Sequence, residues 1–175
     1  LMIIKTKFKD LVIIQNRSFK DNRGYFKELL REKEINKKFP FVVMSCSKKN
    51  VLRGLHIQNY KSQGKYVSVL RGKIFDVVVD LRKNSRTFGK TFTTILSEKN
   101  SKSIYLPAGF AHGFCSLDKE NYVIYSCTEY RNAKSEVGIS YNDKDLDIKW
   151  PVKKPILSNK DKANISFKDF KKLLV

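Results

Sequence analysis

Tyr66-Val-Ser-Val-Leu70, then Arg71-Gly72, then Lys73-Ile-Phe-Asp-Val-Val-Val-Asp-Leu81 is the stretch that decides the fold class. Two runs of β-branched and aromatic residues flank a short glycine-containing turn, a pattern that predicts a β-hairpin. Shorter runs follow at similar spacing: Thr91-Phe-Thr-Thr-Ile-Leu96, Ser103-Ile-Tyr-Leu106, Gly113-Phe-Cys-Ser-Leu117 and Tyr122-Val-Ile-Tyr-Ser-Cys-Thr128. Each is bounded by Gly, Pro, Asn, Asp or Lys, and many short strands with regular turns predict an all-β sandwich or barrel of the jelly-roll kind. Helix is expected only over residues 25–37 and 167–175. Alternation along 73–81 places Asp76, Val78 and Asp80 on one face, with Asp76 pointing inward. Phe75, Val77 and Val79 take the other face, which needs cover, a partner subunit being one source.

At 175 residues the chain fits one domain, expected over 2–175, with enough length for a core that needs no staples. Its net charge of +19 comes from 36 Lys and Arg against 17 Asp and Glu. Such a field attracts phosphate, but the lysines are scattered along the whole length, so neither a nucleic acid nor a membrane surface is the expected partner. A small anionic substrate such as a sugar nucleotide uses the same field. Cys46, Cys115 and Cys127 are widely spaced and read as buried thiols of a reducing compartment. No apolar run is long enough to span a bilayer, and the opening residues lack the order of a secretory signal, so a soluble cytoplasmic protein is expected.

Both histidines lie in apolar, glycine-punctuated segments: His56 in Val51-Leu-Arg-Gly-Leu-His-Ile-Gln58 and His112 in Leu106-Pro-Ala-Gly-Phe-Ala-His-Gly-Phe114. A histidine so placed serves either as a hydrogen-bonded core residue or as an acid–base group. Jelly-roll barrels of the cupin class often hold a metal with three histidines and a glutamate, two of the histidines one residue apart. Here His56-Ile57-Gln58 lacks the second, and two imidazoles fall short of the three protein ligands a catalytic zinc takes. No metal is expected.

These segments, with Phe19-Lys-Asp-Asn-Arg-Gly-Tyr-Phe-Lys-Glu28, Gln63-Gly-Lys65, Ser85-Arg-Thr-Phe-Gly-Lys90 and Pro155-Ile-Leu-Ser-Asn-Lys-Asp161, occur in a characteristic order. In this the chain resembles the dTDP-4-dehydrorhamnose 3,5-epimerase family, metal-free cupins that epimerise nucleotide-linked 4-keto sugars. The resemblance implies a cupin-type jelly-roll barrel and an isomerase that uses no cofactor. Epimerisation beside a ketone needs a base, a stabiliser of the enolate oxygen and an acid on the opposite face.

By resemblance, His56 is the base and Asp161 the carboxylate that orients it; a helix cap or turn is the ordinary alternative for Asp161. Tyr125 matches the proton donor and Lys65 the enolate stabiliser. Arg23, Arg53 and Lys160 match positions that meet the pyrophosphate or sugar, where the arginine fork suits phosphate oxygens. Phe19 and Tyr130 are matched to stacking on the base, Glu28 and Glu136 to polar contacts with the nucleotide, and His112, paired with Asp76, to a place in the pocket. A homodimer that exchanges N-terminal strands is implied, some site residues coming from the neighbouring subunit.

The chain also departs from that pattern. Rhamnose-pathway enzymes usually carry an amide-rich triplet facing the sugar before Leu-Arg-Gly-Leu-His, whereas here the stretch reads Phe41-Val-Val-Met-Ser-Cys-Ser-Lys-Lys49. The loop from Gln58 to Gly64 is shorter, and Arg131 replaces a second aromatic after Tyr130. The expected activity is inversion at C3, C5 or both of a nucleoside-diphosphate 4-keto-6-deoxy sugar for surface polysaccharide. A GDP-linked 4-keto heptose for capsule, a 3,4-ketoisomerase reaction, and a non-catalytic binder of sugar nucleotides or nucleic acid stand as alternatives.

Overall fold

The computed structural model describes residues 1–174. The first half of the chain forms β1 (Met2–Lys5), β2 (Val12–Gln15), β3 (Ser18–Asp21), β4 (Gly24–Lys27), α1 (Glu32–Ile35), β5 (Phe41–Lys48), β6 (Leu52–Gln58), β7 (Lys65–Arg71) and β8 (Lys73–Asp80). The second forms β9 (Thr91–Ser97), β10 (Lys102–Leu106), β11 (Phe110–Ser116), β12 (Glu120–Cys127), β13 (Glu136–Gly138), α2 (Asn159–Lys162) and α3 (Phe167–Lys172). One sheet has the order β1-β2-β10-β7-β12-β5 and the other β13-β6-β11-β8-β9, while β3 and β4 form a separate hairpin. This is the expected all-β, cupin-type jelly roll with a few short helices.

Between the sheets lie Val67 and Val69 of β7, Ile74 and Val78 of β8, Ile104 and Leu106 of β10, Phe110 and Phe114 of β11 and Val123 of β12. All are buried, and a large apolar side chain removed from water contributes about 1.5–3 kcal/mol. A cavity also opens between the sheets and borders this core, Phe114 belonging to both.

The expected β7–β8 hairpin does not form. The two strands are consecutive but enter different sheets: β7 pairs with β10 and β12, and β8 with β9 and β11. Gly72, at φ +84°, turns the chain across the sandwich, and Asn121 Oδ1 accepts from Lys73 N at 3.0 Å. Alternation specifies which face of a strand is buried, not which strand lies beside it.

The face carrying Val77 and Val79 is covered by the chain itself, since Leu146, Phe167 and Phe170 pack on it together with Leu55 and Ala111. No partner is needed there. The helix expected over 25–37 shrinks to α1, because Asp21-Asn-Arg-Gly24 closes a hairpin in which Phe19 pairs with Phe26. Near the C terminus, α3 is shorter than the helix expected over 167–175. Val175, the end of that helix and of the expected domain, lies outside the described residues. Of the three thiols expected to be buried, Cys46 is exposed on β5. Among the described residues no helix is long and apolar enough to cross a membrane.

Candidate active site

Two glycines bring the histidines together. Gly54 on β6 stands at φ +114°, and a Cβ there would lie 2.6 Å from both Gly113 Cα and His112 O. A Cβ on Gly113 would in turn lie 2.7 Å from Arg53 O, so β6 and β11 approach as only glycine allows. In the register that results, His56 and His112 are direct cross-strand partners, with an irregularity just beyond His112.

Each imidazole has its own carboxylate. His56 Nε2 lies 2.6 Å from Asp161 Oδ1, and His112 Nε2 lies 2.7 Å from Asp76 Oδ2. A carboxylate only accepts, so Nε2 of His56 carries the proton and Nδ1 is left as its basic nitrogen. Asp161 sits in the first turn of α2, but the cap is Ser158. Its Oγ accepts from Asp161 N at 3.0 Å and donates to Asp161 Oδ2 at 2.8 Å. Burial pushes the Asp161 carboxyl up, but the hydrogen bonds from His56, Ser158 and Gly54 N outweigh it and hold the group below the usual carboxylate range.

Nδ1 of His56 faces Glu136 of β13 at 3.7 Å. The Glu136 carboxylate also accepts from Lys160 Nζ at 2.6 Å and Arg131 Nε at 3.0 Å. Desolvation raises its pKa, and Lys160, His56 and Arg131 together bring it below the ordinary value.

The opposite wall comes from the other sheet. Cys127 of β12 lies between Phe41 of β5 and Lys65 of β7, and Tyr125 lies between Val43 and Val67 in the adjacent row. The Tyr125 hydroxyl is 3.1 Å from Ser45 Oγ. Burial pushes that phenol well above its ordinary pKa, so it remains a proton donor. Burial also lowers the Lys65 ammonium, a shift opposed by Cys127, Glu136 and Asp76. Cys127 itself is raised by burial, which keeps it a thiol.

A cavity of about 340 Å³ between these walls collects His56, Lys65, Tyr125 and Asp161, together with Arg53, His112, Glu136 and Lys160. The remaining four expected site residues are not among those that line it. Phe19 and Arg23 lie on the exposed β3–β4 hairpin, Arg23 paired with Asp21 at 2.6 Å. Glu28 pairs with Arg31. Tyr130 is exposed, its ring 5.8 Å from that of Phe41. Ser45 and Ser158 escaped the sequence reading, although the spacing Ser158-x-x-Asp161 is a helix-start signal that points at the second. Among the described residues no three His, Cys, Asp or Glu side chains group as a metal site would require.

The family model described as dTDP-4-dehydrorhamnose 3,5-epimerase matches residues 5–169. The chain belongs to this family. It is 41% identical over 174 residues to dTDP-4-dehydrorhamnose 3,5-epimerase of Shigella flexneri, covering 95% of this chain and 96% of that one. It superposes with a TM-score of 0.94 on dTDP-6-deoxy-D-glucose-3,5-epimerase of Legionella pneumophila in complex with dTDP-4-keto-L-rhamnose, at 40% identity, covering 99% and 96% of the two chains. A 3′-monoepimerase of Streptomyces bikiniensis in complex with dTDP-quinovose superposes with a TM-score of 0.89 at 28% identity, covering 96% and 89%. Family members are isomerases of nucleotide-linked sugars, so the chain is an enzyme of the epimerase class.

Proposed function

We propose that the chain inverts C3 and C5 of a dTDP-linked 4-keto-6-deoxy sugar by proton transfer through an enolate. The observation that supports this most is the placement of a carboxylate-held histidine, His56, on one sheet and a buried, protonated phenol, Tyr125, on the facing sheet of one cavity.

The chemistry follows from acidity beside the ketone. His56 Nδ1 takes the proton from a carbon next to the C4 carbonyl, and the C–H electron pair becomes the enolate double bond as negative charge moves to oxygen. Asp161 supports the imidazolium that forms. Lys65, a compact cation in a desolvated place, stabilises the enolate oxygen. Tyr125 then gives its proton to the carbon from the opposite face, which inverts the centre, and both groups return to rest by exchange with solvent. Arg53 and Lys160 are assigned to the diphosphate or sugar, His112 to the sugar, Tyr130 to the base and Glu136 to the rim where the nucleotide enters. A nucleotide-sugar substrate places this work in the cytoplasm.

Phe19, Arg23 and Glu28 acquire a role through a second copy of the chain. β1 is exposed along its whole length, and Val42 and Met44 expose apolar side chains on β5, the strand at the far edge of the same sheet. A homodimer formed through N-terminal strand exchange covers such edges and carries one subunit's β3–β4 hairpin to its partner's cavity.

The test is carbon-bound deuterium uptake from heavy water into dTDP-4-keto-6-deoxyglucose, followed by mass spectrometry and NMR. Two deuterons with inverted centres are expected, and none with His56→Ala. If the wild-type protein labels neither this sugar nor its 2-deoxy counterpart, the proposal fails.

A further inference from the structure

The cavity is rich in charge and poor in free neutral hydrogen-bonding groups. Its two amide side chains are turned onto the protein: Gln58 Nε2 donates to Lys61 O and Tyr130 O while its Oε1 accepts from Asn132 N, and Gln63 Nε2 donates to Glu129 O. Ser158 is committed to Asp161 in both directions. What remains for a ligand is Gln63 Oε1, the Cys127 thiol and the charged groups, together with His56, His112 and Tyr125. The side chains that β5 contributes to the lining are Phe41 and Val43, which offer no hydrogen bond. Val43 is the direct cross-strand neighbour of Tyr125, whose hydroxyl meets Ser45 Oγ two residues further along β5, so the apolar part of this wall stands beside the proton donor's ring.

We infer that Val43 and Phe41 are specificity-determining residues, and that the sugar meeting them is a 4-keto sugar with no hydroxyl on the carbon it turns to β5. The inference rests on the epimerase reading above and narrows its substrate class. In a 4-keto-6-deoxyhexose the ring hydroxyls are on C2 and C3. The C3 hydroxyl changes orientation as that carbon inverts, so the substituent a fixed wall can select against is the one on C2. A hydroxyl pressed against Phe41 and Val43 gives up water and gains no partner, whereas a CH2 loses nothing. The preferred substrate is therefore a nucleotide-linked 4-keto-2,6-dideoxy sugar, with the 2-hydroxylated sugar turned over more slowly.

The experiment compares kcat/KM for carbon-bound deuterium uptake into dTDP-4-keto-6-deoxyglucose and its 2-deoxy counterpart. Wild-type protein should favour the 2-deoxy sugar about tenfold, the size expected for one unpaired hydroxyl. Val43→Asn, which places an amide beside Tyr125, should shrink or reverse that ratio. Phe41→Gln repeats the measurement at the second wall position should Val43→Asn fail to fold. Equal use of the two sugars by the wild-type protein, or preference for the 2-hydroxylated one, overturns the inference and leaves the epimerase reading standing. Uptake into neither sugar overturns both.

Discussion

His56 and Asp161 are 105 residues apart in the sequence and 2.6 Å apart in space. The pair is closed by the short helix α2, which Ser158 caps and which packs against β6. Asp161 therefore fixes both the tautomer and the direction of the His56 ring, through a carboxylate that Ser158 and the Gly54 amide hold in turn.

Replacing Asp161 with Asn keeps the shape of the pair but removes the charge and the obligatory acceptor. We expect kcat to fall about 10²- to 10⁴-fold, by analogy with carboxylate–histidine pairs elsewhere, with KM changing far less. Steady-state kinetics of Asp161→Asn against wild type decides this; unchanged kcat would leave Asp161 as a structural residue of α2.

Tyr125→Phe separates the two halves of the reaction. His56 and Lys65 still form the enolate, so deuterium from the solvent should enter the substrate, but with no donor on the second face most of it returns with the original configuration. NMR of the recovered sugar is expected to show labelled, uninverted carbons. Inversion at the wild-type rate would remove Tyr125 from its assigned role.

An acid-sensitive contribution to stability comes from Asp80, away from the cavity. Burial raises this carboxyl, but hydrogen bonds from Arg82, Ser85 and Thr87 overcome that and bring it from an ordinary 3.8 down to about 2. A depressed carboxylate stabilises the fold above its unfolded value and loses that contribution as pH falls through the folded one. Over this window the loss is about 2 kcal/mol. Urea unfolding between pH 7 and pH 2 should show Asp80→Asn less stable at neutral pH by a similar amount and less steep in its acid dependence. Parallel curves for the two proteins would contradict this account.

The proposed dimer makes a complementation test possible. If Arg23 serves the partner's cavity, His56→Ala and Arg23→Ala proteins, each weak alone, should recover activity when unfolded and refolded together, because one site of each mixed dimer is then complete. Recovery toward one quarter of the wild-type level is the simple statistical expectation for random pairing of subunits. Mixtures no more active than the separate variants would place Arg23 outside the site.

Much of the site is legible in local sequence because its parts carry local constraints. The glycines beside His56 and His112 mark a close backbone approach, and Pro155-Ile-Leu-Ser-Asn-Lys-Asp161 contains its own helix-start signal. The family motifs carry His56, Lys65, Tyr125 and Asp161 to one cavity across sequence distances that no periodicity measures.

Sequence by itself determined that the chain is built from short strands, that Asp76 turns inward, and that β5 brings Phe41 and Val43 rather than amides to its strand. Those are properties of residue type and alternation, which act over a few residues. Only the tertiary structure decided that β7 and β8 part into different sheets, that the C-terminal segment covers Val77 and Val79, and that Glu136 stands between His56, Lys160 and Arg131. The reason is that strand pairing and long-range packing are chosen by the free energy of the whole core, in which a given alternating run has several equally suitable neighbours.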